Sequence, residues 1–299
     1  MKVQKSFKIL ETLEDSEETD FEIQFRITDA CNLKCEYCYW NDGPQYKTND
    51  IMICLDRIET FLLKMKFNSV TFYFHGGEPS THKDLELICK RIKQIPIKTV
   101  IEVQTNLIID VSHIEEIDYF SISLHYNELL RTNKLETFIK NYNKIKKINN
   151  LDIMLENVEN KEQYYKFILN LYNKKVKNSE MIYSYFGGYS SEHLDFYNKY
   201  NKSTEMFLID GKKYNTNNLF KNGLDCRNCK CKTTKTQMYC NGNGDLFYCA
   251  THMTTKSKPF INILKKDIPT FIYKTDIQCR WNNCIDYFVD RYINKDIYE

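Results

Sequence analysis

At 299 residues and 42% hydrophobic composition, the chain is long enough to bury a sizeable core without disulfide help, as one large domain or two unequal ones. Its 42 basic against 40 acidic residues leave a net charge of +2, too small to argue for nucleic acid or a membrane surface as partner. Lys, Asn, Asp and Glu interrupt every apolar run before it reaches bilayer length, and the opening MKVQKSFKILETLEDSEETD is too acidic and lacks the apolar core of an export signal, so a cytoplasmic location is expected.

Residues 1–20 read as an N-terminal extension. FEIQFRIT (21–28) then opens a series of alternating or apolar runs, rich in β-branched and aromatic residues. The series continues with SVTFYFH (69–75), TVIEVQT (99–105), DYFSISL (118–124), LDIMLEN (151–157) and EMIYSYF (180–186). Helical spacing separates most of them: ICLDRIETFLLKMK (53–66), LELICKRIKQI (85–95), LETFIKNYNKIKKI (135–148) and EQYYKFILNLYNKK (162–175). Only the short VSHIEEI lies between the third and fourth runs. Such alternation predicts right-handed crossovers and a mainly parallel α/β sheet. Six units are too few for a closed eight-unit barrel and suit a partial, TIM-like (β/α)6 barrel over 21–205. From there to residue 299 the chain turns to Asn, Lys, Gly and Cys with hairpin signals such as NGNGD, which marks 206–299 as a small cysteine-rich domain.

The 12 cysteines are unevenly placed. In a reducing compartment they argue for metal rather than disulfides. Cys31, Cys35 and Cys38 crowd the loop after the first strand, where parallel βα folds gather functional groups. Cys54 and Cys89 sit in helical patterns and read as buried thiols. Cys226, Cys229, Cys231, Cys240, Cys249, Cys279 and Cys284 form a second group. A structural zinc site on the first loop would want a fourth ligand nearby. An iron–sulfur cube answers differently: three thiolates hold three irons, and the fourth stays open for a substrate ligand.

CxxxCxxC with an aromatic before the third Cys, followed by FHGGEP (74–79) on the second strand and VQTNL (103–107) on the third, resembles the radical S-adenosylmethionine (radical SAM) superfamily, whose motifs include GGEP and TNG. SISLHYNELLR on the fourth strand is similar to the SLDGP…R pattern of a large subgroup, with His125 in place of Asp. The resemblance covers roughly residues 20–190. It implies a 4Fe–4S cluster on Cys31, Cys35 and Cys38 whose open iron chelates S-adenosylmethionine, and a one-electron reductant such as flavodoxin or ferredoxin. It implies further that Gly76 and Gly77 let backbone approach the cofactor's amine, with Glu78 steadying that loop or the amine's surroundings. Asn106, Ser123 and Arg131 are candidates for the carboxylate and ribose, the planar Arg fork suiting a carboxylate. Tyr37 is expected against the adenine. His75 and His125 read as structural, with substrate contact as the alternative.

The tail carries its own resemblance. Cys231, Gly244 and Cys249 match the CX9–15GX4C opening of the SPASM and twitch extensions of this superfamily, which hold auxiliary 4Fe–4S clusters. The usual continuation is reduced to Cys279 and Cys284. This implies one auxiliary cluster on Cys226, Cys231, Cys249 and Cys284, with Cys279 and Cys229 as the remaining ligand candidates and a second cluster as the alternative. A zinc ribbon on Cys226, Cys229, Cys279 and Cys284 competes. Cys240, which the frame does not require, is a candidate hydrogen-atom donor to a substrate radical, against ligation or burial.

The expected function is hydrogen abstraction from a peptide, leading to crosslinking, epimerisation or oxidation. The first barrel strand begins near residue 21, leaving no room upstream for a peptide-binding wing, which weakens that reading. Dehydrogenation or epimerisation of a sugar or cyclitol is the alternative. A non-catalytic electron carrier or scaffold would not need GGEP and TN beside an open cluster.

Overall fold

The computed structural model describes residues 7–9, 20–35, 38, 43–146, 148–154, 161–171, 180–184, 206–209, 212–215, 230–231, 237–249, 253, 258–270 and 277–278. In chain order its first elements are β1 (Phe7–Ile9), β2 (Asp20–Thr28), α1 (Thr48–Met65), β3 (Ser69–Gly76), α2 (Leu85–Lys93), β4 (Lys98–Thr105), β5 (Tyr119–Leu124), α3 (Tyr126–Arg131), α4 (Leu135–Lys144), β6 (Ile148–Met154), α5 (Lys161–Leu171) and β7 (Glu180–Ser184). Strands β8 (Met206–Ile209), β9 (Lys212–Asn215), β10 (Lys230–Cys231), β11 (Gln237–Asn241), β12 (Asp245–Phe247), β13 (Ile261–Asn262) and β14 (Ile277–Gln278) follow.

The alternation in β2 decides which way the sheet faces. Phe21, Ile23, Phe25 and Ile27 are buried on one side, and period-two geometry sends Glu22, Gln24 and Arg26 to the other. The apolar side meets α1, whose Ile51, Cys54, Leu55, Ile58, Phe61 and Leu62 form one stripe at helical spacing. Each such side chain removed from water contributes about 1.5–3 kcal/mol. Helix α1 stops at Lys66, which adopts the left-handed conformation and returns its N–H to Leu62 and Leu63 carbonyls. Strands β2 to β7 pair in sequence order and all in parallel, as right-handed βα repeats require. The helices and the main core lie on one face, so the opposite face is polar and carries Tyr73, His75, Glu102, Gln104, Ser121 and Ser123.

Three features were not anticipated. The helical run after residue 135 ends at Lys144, and β6 covers 148–154, because Phe120 of β5 claims Ile148 as a strand partner. Strand β1 lies in the N-terminal extension and pairs antiparallel with β8, which pairs with β9 in a separate three-stranded sheet. Most consequential, the cysteine-rich part does not form its own sheet around NGNGD. Strand β11 pairs parallel with β2, from Gln237 opposite Glu22 to Asn241 opposite Arg26, and β12 and β13 continue the same nine-stranded sheet. The free edge of β2 is thereby covered. Among the described residues, no helix is long and apolar enough to cross a membrane.

Candidate active site

The three-cysteine loop leaves β2 at Thr28 and is stitched at once to the end of β3. Thr28 O accepts from Gly77 N (3.0 Å), and Ala30 O accepts from Glu78 N (2.8 Å). On the other side Asp29 N donates to Pro44 O (3.0 Å), and Asp29 also receives Arg26 and the Tyr46 hydroxyl (2.9 Å). Within the loop, Cys38 N donates to Cys35 O (3.0 Å) and Leu33 N to Cys31 Sγ (3.4 Å). Cys35 is buried, while Cys31 and Cys38 are half-buried. Burial pushes the Cys31 thiol up to about 11, so metal ligation must displace its proton. Tyr37 lies outside the described residues.

Glycine at 77 has a cause that the sequence hid. A Cβ there would stand 2.2 Å from Ala30 O and 2.6 Å from Asp29 C, so the space a side chain would take is already filled by the cysteine loop's own backbone. Gly76 has φ +123°, a conformation L side chains avoid, and its Cβ would meet Thr28 O at 2.7 Å. Both glycines thus serve contact between two loops of the protein.

Glu78 is 3% exposed and saturated by protein donors. Ser80 N (3.1 Å), Ser80 Oγ (2.6 Å) and Thr105 Oγ1 (2.8 Å) reach Oε1, and Asn106 N (2.7 Å) reaches Oε2. Burial pushes this carboxyl up and the hydrogen bonds pull it back. Glu78 therefore locks the end of β3 to the end of β4. Asn106 carries the lock onward: its Nδ2 donates to Asn32 Oδ1 (2.7 Å) between Cys31 and Leu33, and its Oδ1 accepts from Ile108 N (3.1 Å). Where the family's TNG has glycine, Leu107 holds the left-handed conformation (φ 55°) with its side chain fully buried. The strain of about 1–2 kcal/mol is offset by about 1.5–3 kcal/mol of burial.

Arg131 binds a carboxylate, but one of this chain's own. Its Nε and Nη2 grip Glu128 at 2.9 and 2.6 Å, its side chain is 63% exposed, and Glu128 Oε1 in turn accepts from Lys34 N (3.1 Å) in the cysteine loop. Two further groups after β5 hold the same loop: Lys134 Nζ donates to Asn32 O (3.0 Å), and His125 Nδ1 lies 3.5 Å from Cys35 Sγ. Burial lowers His125 to about 4. Glu128, Lys134 and Asn32 were missed by the sequence reading; the one available signal was the Glu128–Arg131 spacing on a helix. Ser123 sits buried on the polar face of β5, opposite Asp152 of β6.

Cys240 lies on the wrong side for radical chemistry. It is 0% exposed and packs with Met238 and Leu246 in the layer between sheet and helices, beside Cys54, with its Sγ donating to Asn241 O (3.3 Å). The hydrogen-donor expectation gives way to burial, which also accounts for Cys54 and Cys89. Cys240→Ala should cost about 1 kcal/mol of stability and leave 5′-deoxyadenosine formation unchanged, as a denaturation midpoint and a product assay would show. Cys249 is half-buried beside Tyr239, Phe247 and Met253. Cys231 lies in β10, which pairs with β14. Cys226, Cys229, Cys279 and Cys284 lie outside the described residues.

Whether this site fits an iron–sulfur cluster and its ligand can be judged from its own atoms. Three thiols share one loop. The Asn32 Nδ2 donor in that loop and His75 Nε2 on the polar face of β3 are buried with no hydrogen-bond partner among the described residues. Burial and Arg26 pull His75 down to about 3, so it is neutral. Among the described residues, no three His, Cys, Asp or Glu side chains converge on one point as a single-ion site. The number and type of thiols, and the orphaned donor beside them, fit the cluster.

Three thiols on the loop after the first strand of a parallel βα sheet, braced by the ends of the next three, make a candidate cofactor site of the partial-barrel type. The chain belongs to the radical SAM superfamily, whose family model matches residues 25–194. GTP 3′,8-cyclase of Listeria monocytogenes serotype 4b is 32% identical over 85 residues, 28% of this chain and 26% of that protein. GTP 3′,8-cyclase of Clostridium perfringens strain 13 is 30% identical over 144 residues, 46% of this chain and 41% of that protein. The chain therefore spans under half the length of these curated relatives. Among solved structures, anSMEcpe with bound AdoMet and Cp18Cys peptide superimposes with a TM-score of 0.54 at 16% identity, covering 86% of this chain and 80% of that one. Native anSMEcpe with bound AdoMet gives 0.55 at 14%, covering 85% of this chain and 81% of that one. The likeness is one of fold, and at 86% of this chain it extends beyond residues 25–194. The chain's family places it among the radical SAM enzymes.

Proposed function

We propose that this enzyme modifies a peptide by abstracting a hydrogen atom from it, with Cys31, Cys35 and Cys38 holding the cofactor's 4Fe–4S cluster. The observation that carries the cluster assignment is the bracing of one three-thiol loop from β3, β4 and the segment after β5. A cluster held by Cys31, Cys35 and Cys38 would supply the single electron that reductive cleavage of S-adenosylmethionine requires, and with it the means to take a hydrogen atom from substrate. The chain's own groups set the stage. The backbone of Gly76–Gly77, Ser123 and the loop of Tyr37 border the place for the cofactor, and Glu78, Asn106 and Arg131 fix the loops around it. The polar face of the sheet, with Tyr73, His75 and Gln104, receives the substrate. Residues 1–20, 21–205 and 206–299 are taken as extension, barrel and auxiliary part. Cys226, Cys231, Cys249 and Cys284 hold one auxiliary 4Fe–4S cluster, with Cys279 and Cys229 as the reserve ligands. A cytoplasmic flavodoxin or ferredoxin is the electron donor.

Support for a peptide comes from the superposition over most of the chain on anSMEcpe, whose solved structure holds a peptide. A sugar or cyclitol substrate is the second reading. It is favoured by carboxylate, amide and hydroxyl groups side by side on the polar face, such as Gln24 with Glu22 and Ser121 with Glu102.

The test is anaerobic reconstitution followed by reduction in the presence of S-adenosylmethionine. 5′-Deoxyadenosine is expected by mass spectrometry, and a peptide deuterated at Cα or Cβ should pass its label into that product. Fully iron-loaded protein that makes no 5′-deoxyadenosine would reject the cofactor assignment. Label passing from a cyclitol and never from peptides would reject the substrate.

A further inference from the structure

His125 stands in a position that the cluster reading leaves without a task. It follows β5 at the start of α3, is half-buried, and brings Nδ1 to 3.5 Å from Cys35 Sγ. The family pattern has an acid at this point, and an acid's carboxylate would repel a thiolate. An imidazole N–H would be attracted to it.

We propose that His125 is a positioning residue that donates an N–H···S hydrogen bond to the Cys35 thiolate and so makes the cluster easier to reduce. The proposal rests on Cys31, Cys35 and Cys38 holding a 4Fe–4S cluster. A metal-bound thiolate has no proton and accepts only, so the contact fixes the proton on Nδ1. Reduction brings in one electron from a flavodoxin- or ferredoxin-class donor, with no bond made or broken and no proton moved. The added negative charge spreads over the sulfurs, including the thiolates. A donor aimed at one of them stabilises the reduced form more than the oxidised form and raises the potential. A buried, apolar surrounding acts the other way. A second N–H···S contact, Leu33 N to Cys31 Sγ at 3.4 Å, comes from backbone and stays constant in any side-chain variant.

The expected effect of removing one charge-assisted hydrogen bond is roughly tenfold in the one-electron reduction equilibrium. That corresponds to a midpoint potential lower by about 59 mV. Three full-length proteins should be compared: the native chain, His125→Leu, which keeps bulk and loses the donor, and His125→Asn, whose amide nitrogen can occupy the place of Nδ1. The potential is read by EPR titration of the signal that changes on adding S-adenosylmethionine, which marks this cluster and not an auxiliary one. His125→Leu should fall by the stated amount with unchanged iron content, and His125→Asn should return towards the native value. Equal potentials in all three would overturn the proposal and leave the cluster assignment standing. A native protein with no S-adenosylmethionine-sensitive signal would overturn both. Where His125→Leu fails to load iron, native protein labelled with 15N-histidine decides. A weak nitrogen coupling to the reduced cluster is the expected result. No coupling, or the strong coupling of a nitrogen bonded directly to iron, would overturn the proposal.

Discussion

Changing Cys31, Cys35 and Cys38 together to Ala is expected to remove about four irons per chain and to abolish 5′-deoxyadenosine formation. The cube loses every protein ligand at once, so no partial occupancy should survive. The fold should survive, because the loop is held by contacts that none of these thiols makes. Gly77 N to Thr28 O, Glu78 N to Ala30 O, Asn106 Nδ2 to Asn32 Oδ1 and Lys134 Nζ to Asn32 O all remain. Only Cys35 is buried, and its truncation should cost about 1 kcal/mol. Iron and sulfide should be counted anaerobically beside a thermal melt. About four irons left behind would belong to one auxiliary cluster. Zinc without iron would make the tail a zinc ribbon instead. Undiminished cleavage by the triple variant would remove the basis for the site as a whole.

The repeating part of the fold was legible because local periodicity and global topology agree there. Phe21, Ile23, Phe25 and Ile27 alternate, Ile51 to Leu62 keep helical spacing, and a parallel sheet follows from their succession. The placement of QMYCN was not legible. Every residue of β11 is buried, so its alternation is silent, and its partner β2 lies more than two hundred residues earlier. Cys240 shows what that silence conceals. On a strand, a shift of one position moves a side chain from one face to the other, and only the pairing with β2 turns this thiol towards Cys54 and away from the polar face. The bracing of the candidate site was not legible. Three cysteines on a loop suggest a metal by residue type alone. That the fork of Arg131 is occupied by Glu128, or that Glu78 receives Ser80, Thr105 and Asn106, depends on distances between strand ends. Leu107 sharpens the point, since a leucine at φ 55° reads in sequence as a lost glycine, while its backbone keeps the glycine's conformation.

Gly77→Ala should be the most damaging single substitution of a residue that binds no metal. The added Cβ would lie 2.2 Å from Ala30 O and 2.6 Å from both Asp29 C and Asp29 O. These are backbone atoms, so no rotamer change makes room. Either β3 or the cysteine loop must move. Movement of either stretches Gly77 N to Thr28 O and Glu78 N to Ala30 O, the two bonds that join them. Overpacking of this kind costs about 1–3 kcal/mol, and a lost backbone hydrogen bond adds about 1 kcal/mol. The position of the three thiols should suffer more than overall stability. The core of α1 against β2 lies on the opposite face and is untouched. The expected result is a folded protein with a modestly lowered melting temperature, far less than the native iron at the S-adenosylmethionine-sensitive cluster, and a loss of cleavage in proportion. Melting, iron content and 5′-deoxyadenosine yield on one preparation would check it. Native iron and native cleavage in Gly77→Ala would show that the two loops part easily, and that the glycine is needed for the approach of the cofactor alone.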